Sequence, residues 1–434
     1  MLMIKRFCQW MSGLLLLTIL LFPSPVSAGS KEIISDGTYI MGAGETPSVA
    51  LAKAVFDAKY KAADQMGTYL ANLPEVKNMQ LTPDELNTFA WGQIKTTVLD
   101  EKQSKADNNT LEFRVSVRCV VSTNDIHTND KQQLRTLTVI RDTYDKLIQE
   151  STLLRQQSST YTKQQFKNKM MQNEQFFIAL QLFEKGYDAH IHSDYRSAIS
   201  FYSKALKRYP LFEYPYRNRG CAYMSIGKFD LALADFNQAV EINPQFADAY
   251  YNRALVYQNN GQYELALENY NLAIQYNPQD SQTYNNRGIL YQSHKQHELA
   301  LADFNQAIEI NPQDAYAYCN RGLVYKVTGR NDLAVESYSQ AIHFDPQCIE
   351  AYYNRAIAHQ DSGQYDLALA DYNQIIKLDL RYANAYYSKA FVYRHLGRYI
   401  EAIQAYKLFL EYAPSDDSDI PNVKQLIREL GGTV

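Results

Sequence analysis

Several features that would indicate chemistry are scarce in this 434-residue chain. Its five cysteines include no C-x-x-C pair and no zinc-type spacing, which excludes the common zinc and redox motifs. A formal net charge of −4 does not favour nucleic acid or an anionic membrane as a partner. Neither a glycine-rich phosphate loop nor a serine elbow occurs. The sequence therefore predicts no enzymatic activity, cofactor, metal or small-molecule substrate.

Histidine and cysteine provide the few remaining candidates for chemistry. His190 and His192 lie near Asp194, but helical residues two apart point in different directions, so we interpret them as surface histidines. After the leader described below, four cysteines remain, and we interpret them as small apolar packing residues, although an oxidising compartment would permit disulfides. They are Cys119, Cys221, Cys319 and Cys348.

Residues 1–28 have the composition of a signal peptide. Lys5 and Arg6 precede the apolar run Leu14–Phe22, and Val26-Ser27-Ala28 supplies small residues for cleavage. The run is shorter than a membrane-spanning helix, although an uncleaved anchor is the alternative. No cysteine follows the run, so lipid attachment is not expected. The sequence predicts a mature chain that starts at Gly29 and is periplasmic or secreted.

The chain is rich in tyrosine, with 35 residues, and the tyrosines follow a period. Prolines recur at intervals of 34 residues or a multiple, at 210, 244, 278, 312, 346 and 414, with Leu380 at the missing step. We number each copy from its first residue. These residues are Ala179, Glu213, Ala247, Ser281, Ala315, Ile349 and Ala383. Position 20 is alanine in all seven copies, position 8 is glycine or alanine, and positions 4 and 24 are mostly aromatic. A fixed period of this size predicts a solenoid.

Each periodic position has a steric role in a pair of helices. Positions 4, 8 and 11 share one helical face, and positions 20, 24 and 27 share a face of the next helix. Small residues at 8 and 20 allow close approach, and the aromatic residues fill the space beside them. Glycine at position 15 allows the turn between the helices. Ser193 and Lys295 replace this glycine, and Leu380 replaces the proline, so we expect looser turns there.

These residues resemble the tetratricopeptide-repeat (TPR) pattern. The resemblance implies a mainly α fold, a right-handed solenoid of seven helical hairpins over residues 179–416. Residues 417–434 contain the apolar stripe of a final capping helix, stopped by Gly431. TPR proteins bind other proteins, so the resemblance implies a protein or peptide partner.

Residues 29–126 predict a small α+β domain. Thr46-Pro47 starts a long helix, Thr82 and Glu85 form a capping box for a short one, and two strands follow. The order of strand, alanine-rich helix, short helix and hairpin resembles the start of flagellar assembly protein T and some small outer-membrane lipoproteins. The residues that carry it are Gly42-Ala43-Gly44, Ala52 to Ala63, Trp91-Gly92 and Val115-Ser116-Val117-Arg118.

Residues 127–178 predict a helical spacer. Leu137, Ile140, Tyr144, Leu147 and Leu154 have heptad-like spacing, so a homodimer through a coiled coil is an alternative. Ser151 and Ser158 are poor core residues for such a seam.

Two rows of polar residues follow the period. Position 7 is arginine in five repeats, and pairing with the aspartates at position 23 is favoured over a basic stripe for an anionic ligand. Position 6 is asparagine in five successive repeats. Related TPR proteins use such a row to bond the backbone of an extended peptide, and one amide offers both donor and acceptor. This row is Asn218, Asn252, Asn286, Asn320 and Asn354.

Two further rows lie on the same side of the first helices. Position 9 is apolar, and position 5 is tyrosine in three repeats. The residues are Leu255, Ile289, Leu323 and Ile357 at position 9, followed by Phe391, and Tyr251, Tyr353 and Tyr387 at position 5. Together the rows predict a concave groove for an extended, roughly neutral polypeptide. The expected function is a non-catalytic interaction scaffold of the bacterial cell envelope. The alternative is an envelope or flagellar assembly factor whose N-terminal domain recognises the partner, with the repeats as spacer.

Overall fold

The computed structural model describes residues 30–433 except 43–44, 78, 80, 107–109, 123–130 and 158–159. The leader, its expected cleavage point, Ala43-Gly44 and the turn between the last two strands lie outside this part. The chain forms two compact units, Met1–Pro215 and Tyr216–Val434, which we call unit 1 and unit 2. No helix in the described ranges has the length and apolarity needed to span a membrane.

Unit 1 contains a three-stranded antiparallel sheet and six helices among its described residues. The sheet order is β1-β3-β2. The elements are β1 (Ser30–Ile40), α1 (Pro47–Leu70), α2 (Pro74–Lys77), α3 (Pro83–Gln93), β2 (Lys95–Lys105), β3 (Leu111–Ser122), α4 (Lys131–Gln156), α5 (Lys163–Ile191) and α6 (Tyr195–Arg208). The strands and helices expected in the N-terminal domain are therefore present in that order.

Local sequence explains how α1, α3 and the sheet pack together. Thr82 and Glu85 form both bonds of the predicted capping box at the start of α3. Alternate residues of β3, among them Phe113 and Val117, are fully buried. Gly37 lets β1 approach α1, because a Cβ at this residue would lie 2.0 Å from the carbonyl oxygen of Ala54.

The segment expected to be a spacer is instead part of the core of unit 1. Tyr144 of α4 has its ring centroid 4.5 Å from that of Phe56 and 5.2 Å from that of Phe177. The other seam residues are buried as well: Leu137, Ile140, Leu147 and Leu154. The apolar stripe thus packs within the chain, so these five residues are not available as the seam of a coiled-coil dimer. Helix α5 also runs through residue 178, where the spacer was expected to end.

A buried polar cluster joins four elements of unit 1. The ammonium of Lys53 in α1 is fully buried and lies 2.6 Å from a carboxylate oxygen of Glu45. It also donates to Ser151 of α4 at 2.8 Å and to Asn173 of α5 at 3.2 Å. Tyr39 of β1 donates to Glu45 at 2.9 Å. The partners of the buried lysine lie on β1, on the loop before α1, on α4 and on α5, so the cluster orients α4 and α5 against the sheet domain.

Unit 2 consists of six helix pairs and a final helix. The first helix of each pair is called helix A and the second helix B. The pairs are α7 (Glu213–Ser225) and α8 (Phe229–Ile242), α9 (Ala247–Asn259) and α10 (Tyr263–Tyr276), α11 (Ser281–Ser293) and α12 (His297–Ile310), α13 (Ala315–Val327) and α14 (Asn331–Phe344), α15 (Ile349–Asp361) and α16 (Tyr365–Leu378), and α17 (Ala383–His395) and α18 (Tyr399–Tyr412). Helices α5 and α6 of unit 1 form one more pair, which is repeat one in chain order and brings the total in the described chain to seven. The fold is the predicted TPR solenoid.

Small residues and rings pack as the period predicts. A Cβ at Gly220 would lie 2.5 Å from the ring of Phe236, so position 8 leaves room for the aromatic residue at position 24. Helix α19 (Ile420–Glu429) covers the last pair with Val423 and Ile427, both fully buried. This helix is the predicted cap.

The expectation of looser turns at three positions is wrong. Ser193 and Lys295 have φ of 61° and 59°, close to the 70° to 75° of the glycines at position 15. They adopt the same left-handed turn at a steric cost. At Leu380, the backbone carbonyl accepts a bond of 3.1 Å from Tyr386, as Pro244 accepts one of 3.2 Å from Tyr250.

Candidate functional site

The candidate binding residues lie along successive A helices of unit 2. We call positions 5, 6 and 9 of these helices the A-helix face. Asn218 and Asn252 are buried, with 3% and 5% of their surface exposed, whereas Asn286, Asn320 and Asn354 are half-buried. The face is therefore closed at its first two repeats and more accessible from α11 onward.

Three of the five asparagines contact the A helix of the preceding repeat. The amide nitrogen of Asn286 donates to the hydroxyl of Tyr251 at 3.0 Å, and that of Asn320 donates to the side-chain oxygen of Asn285 at 3.0 Å. Asn354 likewise faces Cys319 of the preceding repeat, where it acts to lower the pKa of that thiol. Position 6 of one repeat thus contacts position 5 of the repeat before it. Sequence reasoning missed this role, although the position 5 residues Asn285 and Cys319 repeat with the same period.

At Asn286 and Asn320 these bonds use N–H donors of the side-chain amide and leave the amide oxygen as an acceptor. Asn286 uses its amide nitrogen twice, for Tyr251 and for the backbone carbonyl of Gln282 at 3.0 Å. Within the described chain, the side-chain oxygens of Asn286 and Asn320 receive no hydrogen bond. Each can accept a bond from the N–H of a peptide backbone.

The other residues of the face are partly committed to packing. The rings of Tyr251, Tyr353 and Tyr387 lie 6.0 to 6.2 Å, between centroids, from the position 24 ring of their own repeat. Leu255 and Ile289 pack beside apolar clusters of their repeats. All five apolar residues of position 9, which include Leu323, Ile357 and Phe391, are half-buried. The face therefore combines accessible apolar surface with amide oxygens.

The arginines of position 7 are structural. Arg219, Arg287 and Arg355 each make a bidentate pair with the position 23 aspartate of the same repeat, with a shorter N–O distance of 2.7 Å. This confirms the predicted pairing over a basic stripe. Arg253 bonds Asn269 at 2.6 Å and Arg321 bonds Ser337 at 3.2 Å, so these two are also engaged.

A second bond joins each of four arginines to the preceding repeat. Arg253 donates to Asn237 at 2.9 Å and Arg287 donates to Asn271 at 2.6 Å. The arginine therefore connects three helices. Burial raises the pKa of Asp235 and Asp303 above the usual value for aspartate, although the paired arginine opposes this shift.

Unit 1 has a separate cleft of about 870 Å³. Its wall includes Trp91 of α3, with the ammonium of Lys59 located 4.0 Å from the ring centroid and 3.1 Å from Glu184. His192 lines this cleft, and its ring contacts Asp188. Among the described residues, no group of three or more metal-ligating side chains converges.

Family models agree with the repeats. A TPR-repeat model matches residues 220–261 and 327–363, and three tetratricopeptide-repeat models match 247–280 and 281–314, 353–417, and 304–336. No curated protein matches the chain at a significant level. The resemblance of the N-terminal domain to flagellar assembly protein T has no support in these comparisons.

Solved TPR structures are similar over part of the chain. YrrB, described as a TPR protein with an unusual peptide-binding site, is 23% identical over 43% of this chain and 97% of its own, with a TM-score of 0.38. A TPR protein from Parabacteroides merdae is 23% identical over 58% of this chain and 99% of its own, with a TM-score of 0.43. PilF of Pseudomonas aeruginosa is 19% identical over 50% and 97%, with a TM-score of 0.44. The family models identify residues 220–417 of this chain as tetratricopeptide repeats, in agreement with the helix pairs there.

Proposed function

We propose that this protein is a non-catalytic scaffold that binds an extended, roughly neutral polypeptide along the A-helix face. TPR repeats generally serve as protein-interaction scaffolds, which supports the general class. The particular face is favoured by one observation: Asn286 and Asn320 present unused amide oxygens beside the half-buried side chains of position 9. An extended segment would donate backbone N–H groups to these oxygens and cover the apolar row.

The asparagines themselves are poor targets for a test, because they also join neighbouring repeats. We therefore choose position 9. In the double variant Leu323→Lys and Ile357→Lys, two half-buried apolar side chains become charged without loss of an inter-repeat hydrogen bond. Peptides selected from a displayed library against the full chain should bind this variant at least about tenfold more weakly, since each lost apolar contact is worth about 1 kcal/mol or more.

A matched control places the same charges elsewhere on the same repeats. Leu333 and Leu367 lie on B helices with 41% and 51% exposure. The double variant Leu333→Lys and Leu367→Lys should bind the selected peptides as the unaltered chain does, with the same circular dichroism. Equal affinity for all three proteins, measured by fluorescence anisotropy, would place binding outside the A-helix face.

The cleft of unit 1 supports the alternative in which the N-terminal half recognises the partner. It exposes lysines beside Trp91, among them Lys95 and Lys185. The double variant Lys95→Glu and Lys185→Glu reverses two charges on its wall. If selected peptides lose affinity for this variant and keep it for the position 9 variant, the repeats act as spacer.

We further propose that the protein acts in the cell envelope after cleavage near Ala28. The basic residues, apolar run and small residues of the leader support this location. Mass spectrometry of the exported protein should give a chain that starts at Gly29. A chain that retains Met1 in a membrane fraction would contradict the proposal.

A further inference from the structure

Repeat five brings two cysteines together that are far apart in sequence. Cys319 lies in α13, and Cys348 is the residue immediately before α15. Cys348 is buried in a packing cluster with Ala341 and Ala351, and Cys319 packs against this cluster. The chain leaves α13, forms α14 and returns, which places the end of the repeat against its own first helix. Sequence reasoning interpreted both residues as separate packing residues and missed the pair.

The two remaining described cysteines have different surroundings. Cys119 is fully buried in β3 of unit 1, and Cys221 packs beside an apolar cluster that contains Phe236 and Val256. All four are free thiols. Of the four described cysteines, only Cys319 and Cys348 share a packing cluster, so Cys221 provides an internal comparison.

The groups around the pair make the two thiols unequal. Each thiol is the main influence on the other, and their interaction raises the pKa of Cys319 and lowers that of Cys348. The Cys348 thiol lies 3.9 Å from a carboxylate oxygen of Glu350, to which it donates. The backbone N–H of Ala351, at the start of α15, also favours the Cys348 thiolate. Burial and the carboxylates of Glu350 and Asp345 oppose this ionisation. Asn354 and Tyr338 face Cys319 from the neighbouring helices.

We propose that Cys319 and Cys348 form a redox modification site that closes to an intramolecular disulfide by exchange with a small disulfide such as oxidised glutathione. The Cys348 thiolate attacks one sulfur of glutathione disulfide, and one glutathione leaves as its thiolate. Cys319 then loses its proton and attacks the Cys348 sulfur of the mixed disulfide, which releases the second glutathione. Two protein thiols are oxidised and one glutathione disulfide is reduced to two glutathione molecules.

The bond would connect α13 directly to the start of α15. It would hold repeat five closed and restrict local opening between repeats five and six. The disulfide itself does not depend on peptide binding, so its test is separate from that of the proposed function.

The test uses the full chain incubated with oxidised glutathione and digested with trypsin without reduction. Cys319 and Cys348 fall on different tryptic peptides, residues 296–321 and 331–355. We expect one linked product of these peptides, lighter than their sum by two hydrogen atoms. Reduction should separate them. Reduced chain that is kept under argon should give both peptides with free thiols.

Variants distinguish the exchange from general oxidation. Cys221→Ser should form the linked product as the unaltered chain does, and Cys348→Ser should not form it. In Cys319→Ser the second step is blocked, so a glutathione adduct should accumulate on Cys348. The site would be refuted if the unaltered chain kept both thiols or stopped at a glutathione adduct, while its circular dichroism showed the folded state.

Discussion

Unit 1 places one buried lysine among partners from three other elements and a loop, whereas unit 2 repeats one arginine contact along its A helices. Lys53 has no equivalent elsewhere in the described chain, and its partners come from segments more than 100 residues apart, such as Asn173. Arg287 bonds residues 16 positions before and after itself. A charge removed from water thus receives long-range partners at Lys53 in unit 1 and local partners at the repeated arginines of unit 2. Loss of the first should affect a whole unit, and loss of one of the second should affect mainly its neighbours.

The largest effect is expected at the lysine. Lys53→Met leaves the fully buried Glu45 without its closest cation, which should lower the free energy of unfolding of unit 1 by about 3 to 5 kcal/mol. Trp10 and Trp91 are the two tryptophans, and Trp91 is buried in unit 1. Tryptophan fluorescence of the chain without its leader therefore reports the urea transition of this unit.

Removal of both charges provides the control. The double variant Glu45→Leu and Lys53→Met leaves no unpaired buried charge and should be more stable than Lys53→Met alone. If the single variant were the more stable of the two, the cluster would not depend on the ion pair.

A smaller, local effect is expected at Asp303. Asp303→Ala leaves the guanidinium of Arg287, 17% exposed, without its bidentate partner and should cost about 3 kcal/mol. Asp303→Asn should cost about 1 kcal/mol or less, because repeat three already pairs Arg253 with Asn269. Urea unfolding followed by circular dichroism measures both. If Asp303→Ala shifted the urea transition of Trp91 fluorescence as much as that of the circular dichroism, the effect would not be local to unit 2 and the contrast between the units would be wrong.

The same aspartate gives a pH dependence of defined sign. The pKa of Asp303 in the folded chain lies above its ordinary value of 3.8, mainly because of burial. The folded state therefore binds more protons than the unfolded state between these two pKa values, and the contribution to stability falls as pH rises through that window. The free energy of unfolding of the unaltered chain, relative to that of Asp303→Asn, should decrease as the pH rises from about 3.5, just below the reference pKa of aspartate. The comparison with Asp235→Asn should show the same decrease, because burial also raises the pKa of Asp235. A stability difference that increased with pH would contradict burial as the main cause of the shift.

The smallest effect concerns a turn. Lys295 has φ of 59°, which disfavours a side chain, so Lys295→Gly should raise the free energy of unfolding by about 0.5 to 1 kcal/mol. The matched change Gly261→Lys, at φ 70°, should lower it by a similar amount. Denaturation with urea checks both, and a loss of stability in Lys295→Gly would show that the lysine side chain contributes more than the strain costs.

The predictions made from sequence succeeded where contacts recur locally. Within each hairpin, the alanine of position 20 and the small residue of position 8 meet the aromatic residue of position 24. Seven copies of this pattern were therefore enough to predict the packing from sequence. The arginine and aspartate pair follows the same logic, because Arg219 and Asp235 lie in the two helices of one repeat. Likewise, the alternation of β3 and the capping box of α3 are determined by neighbouring residues.

The spacer and the turns show where local reasoning ended. The stripe of α4 is equally suited to a second copy or to its own chain, and only the position of Phe56 and Phe177 decided for the latter. Ser193 has no intrinsic preference for a left-handed turn, and the helices on either side impose it.

For this protein, the sequence alone determined the repeat, the helix pairs and the residues that face one another within each pair. Tertiary structure decided that α4 and α5 close the core around Lys53, that the asparagine donors join neighbouring repeats, and that Cys319 meets Cys348. The physical reason is the separation along the chain of the residues that make contact. A periodic contact is encoded by fixed spacing, whereas a contact between distant segments depends on the packing of everything between them.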